Sequence, residues 1–265
     1  MKCLSIQQPW ASLIAHGIKD IENRTNKMLV PPQRVLIHVG AKMRAPELLN
    51  ELPLCYEIPV QFAEEIGAFD RNAPLEKSAI IGYVDVVEIV EDSKSPWAQY
   101  AMEGEKPLYH YVLANAKLFK QPITNVKGRL GVWDIPEITE DNLPETVEIP
   151  KVERIGDTLI IPCGETLWNE VCGWDKDSEI SEFEFFLTLT NENINILNPV
   201  DESGNPVDPK TIIFKSKNGK SIETDFVSSC VQEMTYSDSG EPIEYEDEAG
   251  NEYVAMEISF VVKRK

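Results

Sequence analysis

The sequence predicts an α+β, mainly β protein, in which a small, partly open β-barrel with flanking short helices precedes an acidic antiparallel β domain. The strand candidates are short and β-branched, and the helical patterns between them are too few for crossover helices. At 265 residues the chain is long enough for two cores. An acidic, proline-bearing stretch near its middle predicts a first domain at 1–136, a linker at 137–150 and a second domain at 151–265.

The first domain is expected to open with a short apolar entry segment, Cys3–Ile6, and a short helix. Pro9 suits a first helical turn, Trp10–His16 reads as helical, and Gly17 suits a left-handed cap. Ile18–Arg24 then reads as extended. The later elements are expected to be a strand at Val35–Gly40, helices at Pro46–Leu52 and Pro59–Ile66, a central strand at Ala79–Val90, a helix start at Ser95-Pro96-Trp97, and strands at Leu108–Ala114 and Leu130–Ile135.

The second domain is predicted to be antiparallel. Its strand-like segments are Phe183–Thr190, Thr211–Phe226 and Glu252–Val262. Asn218-Gly219 lies inside the second segment and is typical of a two-residue hairpin turn. The sequence of this domain does not identify its function.

Charge is divided unequally between the two halves. Residues 1–136 carry 15 Lys and Arg against 16 Asp and Glu, whereas residues 137–265 carry 10 against 29, which together give the net charge of −20. An acidic surface repels phosphates, so any nucleic-acid contact is expected in the first half. The acidity of the second half is typical of a solubilising surface, and the alternatives are binding of an unidentified basic protein partner and mimicry of a nucleic acid.

Cysteine and histidine content argues against disulfides and zinc. The five cysteines include no CxxC pair, which favours reduced thiols in a cytoplasmic protein. With three histidines in the chain, no structural zinc site and no other cofactor are expected. No apolar run resembles a signal peptide or approaches the roughly 20 residues of a membrane span. We therefore expect a soluble cytoplasmic protein without a membrane partner.

The stretch GIKDIENRT concentrates Lys19, Glu22 and Arg24 after the first helix. On an extended strand Glu22 and Arg24 share one face, whereas Lys19 lies on the other unless a bulge or bend intervenes. The ordinary interpretation of Glu22 and Arg24 is an exposed ion pair of small energetic weight.

Gln8 and Trp10 precede this stretch and are candidates for the same side of the domain. A glutamine amide both donates to and accepts from the edge of a base, and an indole ring offers a stacking surface. For Trp10, packing in the core is the alternative.

Several motifs follow one another in a fixed order between residues 2 and 136. They are Gln8-Pro9-Trp10-Ala11, Gly17 with Lys19, Glu22 and Arg24, Ile37-His38 with Lys42, Gly82 with Val84 and Val87, Ser95-Pro96-Trp97, and VKGRLGVWDI. This ordered set resembles the ASCH family, which is related to the PUA-like RNA-binding fold. The resemblance implies a PUA-like barrel and a cleft whose floor is residues 17–24.

The resemblance also implies two classes of function. Family members are thought to bind RNA or nucleotides, ribonuclease activity has been attributed to at least one, and some are similar to a bacterial amidohydrolase that deacetylates N4-acetylcytidine. In that amidohydrolase a lysine is followed, three positions on, by a nucleophilic threonine. This sequence matches the lysine at Lys19 but has Glu22 in place of the threonine. Glu22 would then act as a general base on water, without a covalent intermediate.

Five further residues complete the predicted ligand-binding set. His38 lies mid-strand and is either a core histidine or a group for acid–base chemistry or base contact. Lys42 follows a strand end, and Trp97 either packs in the barrel or lines the cleft. Lys127 and Arg129 flank a glycine, which allows close backbone approach, and suit a phosphate at the cleft mouth.

Two main hypotheses follow for the first domain. It is either a module that binds RNA or a modified nucleotide, or a metal-independent amidohydrolase with Lys19 and Glu22 as the catalytic pair. A third hypothesis is an accessory protein whose ASCH core has lost its ligand. The near-neutral charge of residues 1–136 favours a small ligand over a long nucleic acid, whose affinity depends on many phosphate contacts.

Overall fold

The structure, a computed structural model, describes residues 1–42, 49–176, 179–247 and 249–265. These residues divide into two compact units. The first comprises Met1–Tyr56, Arg71–Glu148 and Glu246–Asn251, and the second comprises Glu57–Asp70, Ile149–Tyr245 and Glu252–Lys265. The division predicted from the sequence, a first domain at 1–136, a linker at 137–150 and a second domain at 151–265, stays a prediction.

The first unit contains most of the elements predicted for it. In chain order they are β1 (Lys2–Ile6), α1 (Trp10–Ala15), β2 (Ile21–Arg24), β3 (Gln33–Val39), β4 (Ala79–Val90), β5 (Tyr109–Ile123), β6 (Val132–Asp134) and a 3-10 turn at Glu140–Asn142. A further helix, α2 (Leu54–Glu65), begins five residues before the predicted Pro59, and its residues from Glu57 onward belong to the second unit. The helix predicted at Pro46–Leu52 lies partly outside the described residues.

The strands of the first unit form one sheet in the order β2-β5-β4-β3-β1-β6. β1 and β3 are parallel, and the other pairs are antiparallel. Irregularities in the β3–β4 and β4–β5 ladders bend these strands, and the sheet curls into a half-barrel. The predicted small, partly open barrel is therefore confirmed, with β4 near its centre.

Packing between α1 and the sheet makes the first core. α1 packs on β3, β4 and β5 and contributes Ala11, Ile14 and Ala15. These residues meet β-branched side chains such as Val35 and Val84, which suit a pleated, half-buried surface. The core fixes α1 against the sheet, and with it the turn that follows the helix.

Part of the predicted linker at 137–150 runs along β5. The amide of Val147 donates to the carbonyl of Leu118 at 2.8 Å, and the amide of Lys120 donates to the carbonyl of Glu145 at 2.8 Å. Residues up to Glu148 therefore belong to the first unit, as an ordered segment.

The second unit is a β domain, as predicted. Its elements are β7 (Glu153–Ile155), β8 (Thr158–Pro162), α3 (Glu165–Lys176), β9 (Glu182–Thr188), α4 (Ile194–Leu197), β10 (Thr211–Lys215), β11 (Ser221–Glu233), β12 (Glu244–Glu246), β13 (Glu252–Val254) and β14 (Met256–Arg264). Its larger sheet has the order β7-β8-β10-β11-β14-β9, and α3 packs on β9 and β10. The pairs in that sheet are antiparallel except for β8 and β10, which run parallel.

The described ranges offer neither a membrane-spanning helix nor a metal-binding cluster. None of their helices is long and apolar enough to cross a membrane, and none of their His, Cys, Asp and Glu residues form a group of three that could hold a metal ion. No disulfide is present among the described residues, and Cys3, Cys55 and Cys163 are buried. Burial raises the pKa of Cys3 to about 12, so this thiol stays protonated at neutral pH.

Candidate functional site

A cavity of about 630 Å³ opens in the first unit. It lies between the end of β1, the start of α1, β2 and two loops, at residues 97–99 and 126–130. Its described lining combines an aromatic wall with charged and polar groups. The charged lining residues whose side chains are described are the cations Lys19, Arg24, Lys127 and Arg129 and the carboxylate Glu22.

The turn after α1 places Lys19 in this cavity. Gly17 has a φ of +75°, a left-handed conformation that strains side chains with a Cβ. The amides of Ile18 and Lys19 both donate to the carbonyl of Leu13, at 2.9 and 3.2 Å, which closes the turn. Because Lys19 precedes β2, strand alternation does not apply to it, and it lines the same cavity as Glu22.

Lys19 is a buried cation. The residue is 6% exposed, its Nζ donates to the carbonyl of Ile21, and it lies 5.7 Å from the centre of the Trp97 ring. Burial lowers the pKa of Lys19, and the negative charge of Glu22 works in the opposite direction. Lys19 therefore loses its proton more readily than a surface lysine.

Glu22 and Arg24 share one face of β2, as the alternation predicts. Nη2 of Arg24 lies 2.9 Å from Oε1 of Glu22 and donates to the carbonyl of Ser5 at 2.6 Å. The two side chains are only 11% and 21% exposed, so the pair is more shielded than an ordinary surface ion pair. In the described structure Lys19 forms no ion pair with Glu22 within 4.0 Å, so the carboxylate is held by Arg24.

Three aromatic rings form the apolar wall of the cavity. The rings of Tyr56 and Trp97 are stacked, with centroids 4.5 Å apart and planes 4° apart. Trp10 meets both edge-on, at 6.0 Å from Tyr56 and 6.3 Å from Trp97. Trp97 is 2% exposed and Tyr56 is 4% exposed, whereas Trp10 is partly exposed. Trp10 is therefore the ring of this wall that is most open to a ligand.

Hydrogen bonds from the turn and from β2 hold the loop that carries Trp97. The hydroxyl of Ser95 donates to the carboxylate of Asp20. The Asn23 amide donates to the carbonyl of Trp97 at 2.9 Å and accepts from the amide of Gln99 at 3.0 Å. The same short segment that supplies Lys19, Glu22 and Arg24 thus also positions the aromatic wall.

His38 is a buried histidine that is bonded to its surroundings. Its Nε2 lies 3.1 Å from the carbonyl of Val126, and its Nδ1 lies 3.2 Å from Oγ of Ser5. A Cβ on Gly128 would lie 2.1 Å from Cε1 of His38, so the glycine lets the backbone approach the ring. The ring lines the cavity while its two nitrogens connect β3 to β1 and to the 126–130 loop.

Two predicted site residues lie elsewhere. Gln8 is 1% exposed and does not line the cavity, because its Oε1 accepts from the amide of Ser12 at 3.1 Å and its Nε2 donates to the carbonyl of Glu76 at 3.4 Å. Its amide stabilises the first turn of α1. Lys42 is exposed and follows the lining residues Gly40 and Ala41 in the chain without lining the cavity itself. Gln8 and Lys42 therefore lie outside the lining of this cavity, and their contact with a ligand stays a prediction.

The remaining predicted residues line the cavity, and the structure adds others. Trp10, Trp97, Lys127 and Arg129 are all at its surface. Tyr56 was not predicted, because it lies between the two segments predicted as helices, Pro46–Leu52 and Pro59–Ile66, and carries no distinguishing sequence signal.

We expect Lys19→Met to raise the free energy of unfolding by about 1 kcal/mol near neutral pH, because it removes a buried charge while keeping side-chain length. The unfolded chain binds a proton at Lys19 up to its ordinary pKa of 10.5, whereas the folded chain releases it at lower pH. The difference between the variant and the original protein should therefore shrink as pH rises toward that value. Urea denaturation at about pH 7 and about pH 9, with Lys106→Met as the exposed control, measures it. A difference that grows with pH would contradict the lowered pKa.

Residues 4–123 match the family model described as the ASCH domain. Activating signal cointegrator 1 from Homo sapiens is 28% identical over 138 residues, which cover 50% of this chain and 22% of the human protein. The chain thus spans less than a quarter of the length of that relative.

Solved structures of the same domain type are more distant. The crystal structure of ASCH from Zymomonas mobilis is 15% identical and covers 51% of this chain and 88% of that chain, with a TM-score of 0.31. A mutant of the Zymomonas mobilis protein gives 15% identity, coverage of 51% and 91%, and a TM-score of 0.32. The family match and the ordered motifs between Gln8 and Trp97 show that residues 4–123 of this chain are an ASCH domain.

Proposed function

We propose that the cavity of this ASCH domain binds one nucleotide of RNA or one modified nucleoside. The observation that carries the proposal is the presence, in one cavity, of an aromatic wall and of the polar cluster Lys19, Glu22 and Arg24. Aromatic rings bind the face of a base, and polar groups bind its edge. The RNA-binding expectation for the ASCH family supports the same class of ligand.

The volume of the cavity suits a ligand of that size. Small-molecule sites typically measure about 300 to 1,000 Å³, and this cavity has about 630 Å³. It admits a single nucleoside rather than a duplex. A base that enters it must be unstacked from its neighbours, which is how single-stranded RNA is usually read.

The polar cluster offers both acceptors and donors. The carboxylate of Glu22 accepts, and its position is fixed by Arg24 at 2.9 Å. Lys19 supplies a donor that is shielded from water, where hydrogen bonds discriminate more strongly. Bases present donors and acceptors side by side, so this cluster matches an edge that carries both.

Glu22→Gln should weaken nucleoside binding by about tenfold to a hundredfold, because a hydrogen bond to a charged acceptor contributes about 1.5 to 3 kcal/mol. Isothermal titration with adenosine, cytidine, uridine and N4-acetylcytidine measures it. Glu103→Gln, which makes the same change on an exposed residue outside the cavity, is the matched control and should bind like the original protein. Equal affinities in all three proteins, or no binding by any, would contradict the proposal.

Amide hydrolysis is the second candidate function. The observation that favours it is the lowered pKa of Lys19 in a cavity that Glu22 also lines. In such a reaction Glu22 takes a proton from water, the oxygen attacks the acyl carbon, and the amine leaves with that proton. The geometry favours binding over this reaction, because Glu22 is engaged by Arg24 and forms no ion pair with Lys19 within 4.0 Å in the described residues.

We expect N4-acetylcytidine to bind without release of acetate. Mass spectrometry of the nucleoside after incubation measures the loss of the acetyl group. Turnover by the original protein that disappears in both Lys19→Met and Glu22→Gln would overturn this expectation and make the domain an amidohydrolase. Turnover that persists in both variants would point to a contaminating enzyme.

A further inference from the structure

The loop at the mouth of the cavity carries two cations and one apolar side chain, and the guanidinium of Arg129 lies 5.8 Å from the centre of the Trp133 ring. Lys127, Arg129 and Leu130 are exposed, and Leu130 is 97% exposed, yet all three border the cavity. Within the described ranges neither Lys127 nor Arg129 has a carboxylate within 4.0 Å. Unneutralised cations beside an exposed apolar group suit a ligand that is both anionic and partly apolar.

The backbone of this mouth loop, residues 126–130, is held in place. The hydroxyl of Ser5 donates to the carbonyl of Arg129 at 2.6 Å, and Nε2 of His38 lies 3.1 Å from the carbonyl of Val126. Gly128 lies directly against the His38 ring. Since the backbone is already ordered, a ligand that binds these side chains orders little more than their rotamers.

The cations inside the cavity have a different electrostatic situation. Arg24 is paired with Glu22 at 2.9 Å, and Lys19 is buried, with a pKa that burial lowers. Their charge is thus partly neutralised before any ligand binds. A phosphate is attracted more strongly by Lys127 and Arg129 at the mouth than by the polar cluster inside.

We propose that the mouth loop binds the phosphates that flank the nucleotide in the cavity, so that the ligand is single-stranded RNA rather than a free nucleoside. This proposal rests on the proposed function of the cavity. The base enters the cavity beside Trp10, its phosphates contact Lys127 and Arg129, and Leu130 packs against the neighbouring sugar or base. The ASCH domain then recognises one nucleotide within a strand, and the chain's overall negative charge limits contacts beyond its immediate neighbours.

The test compares cytidine, adenosine and uridine with the trinucleotides CpCpC, ApApA and UpUpU. The trinucleotide of the preferred base should bind more tightly than its nucleoside. Two phosphate contacts on a single strand predict a slope of log affinity against log salt of about −1.4, or a fall of about sevenfold between 50 and 200 mM salt. Nucleoside binding should show a slope near zero. In Lys127→Ala/Arg129→Ala the trinucleotide slope should also approach zero.

The double variant Lys106→Ala/Lys220→Ala is the control, because it removes two exposed cations outside the cavity. It should keep the affinity and the slope of the original protein, and thermal unfolding verifies that both double variants fold. Equal affinity and equal slope for nucleoside and trinucleotide would overturn the mouth loop as a phosphate site and leave the nucleoside site standing. A trinucleotide slope unchanged in Lys127→Ala/Arg129→Ala would likewise overturn it. Absence of binding by nucleosides and trinucleotides alike would overturn both proposals.

Discussion

The burial of Lys19 is the constraint on which the rest of the site depends. A charged ammonium group leaves water only where other groups stabilise it, and here these are the carbonyl of Ile21, the Trp97 ring and the field of Glu22. Each of them must be fixed in place. Three features hold them: the left-handed conformation of Gly17, the hydrogen bond between Ser95 and Asp20, and the contacts of Asn23. The nine residues 17–25 therefore supply both the polar cluster and many of the contacts that hold it in place.

The charge that lines the cavity differs in sign from the net charge of the chain. The net charge is −20, and the second half accounts for nearly all of it, yet the described charged lining of the cavity is four cations and one carboxylate. Screening limits the reach of surface charges to about 8 Å at physiological salt, so a ligand at the cavity responds mainly to the local cations. The distant acidity acts against long polyanions, which favours recognition of a single nucleotide and its neighbours.

The sequence predicted those features that follow from local rules. Strand alternation placed Glu22 and Arg24 on one face, and the β-branched run at Ala79–Val90 was found as β4 with the same bounds. Contacts between distant segments could not be predicted. The amide of Gln8 is engaged by Ser12 and Glu76 rather than by a ligand, and Tyr56 meets Trp97 only through the tertiary fold. Local sequence patterns do not specify which of several backbone groups will form a hydrogen bond with a given polar side chain.

The most direct test of the account is an NMR titration of the five indole N–H signals with the nucleoside that binds best. Trp10 and Trp97 line the cavity, whereas Trp168 and Trp174 belong to the second unit and serve as internal controls. We expect the signals of Trp10 and Trp97 to shift in a saturable way, while those of Trp168 and Trp174 stay unchanged. Saturable shifts confined to Trp168 and Trp174, or no shift in any signal at a saturating nucleoside concentration, would contradict the assignment of the ligand site to this cavity.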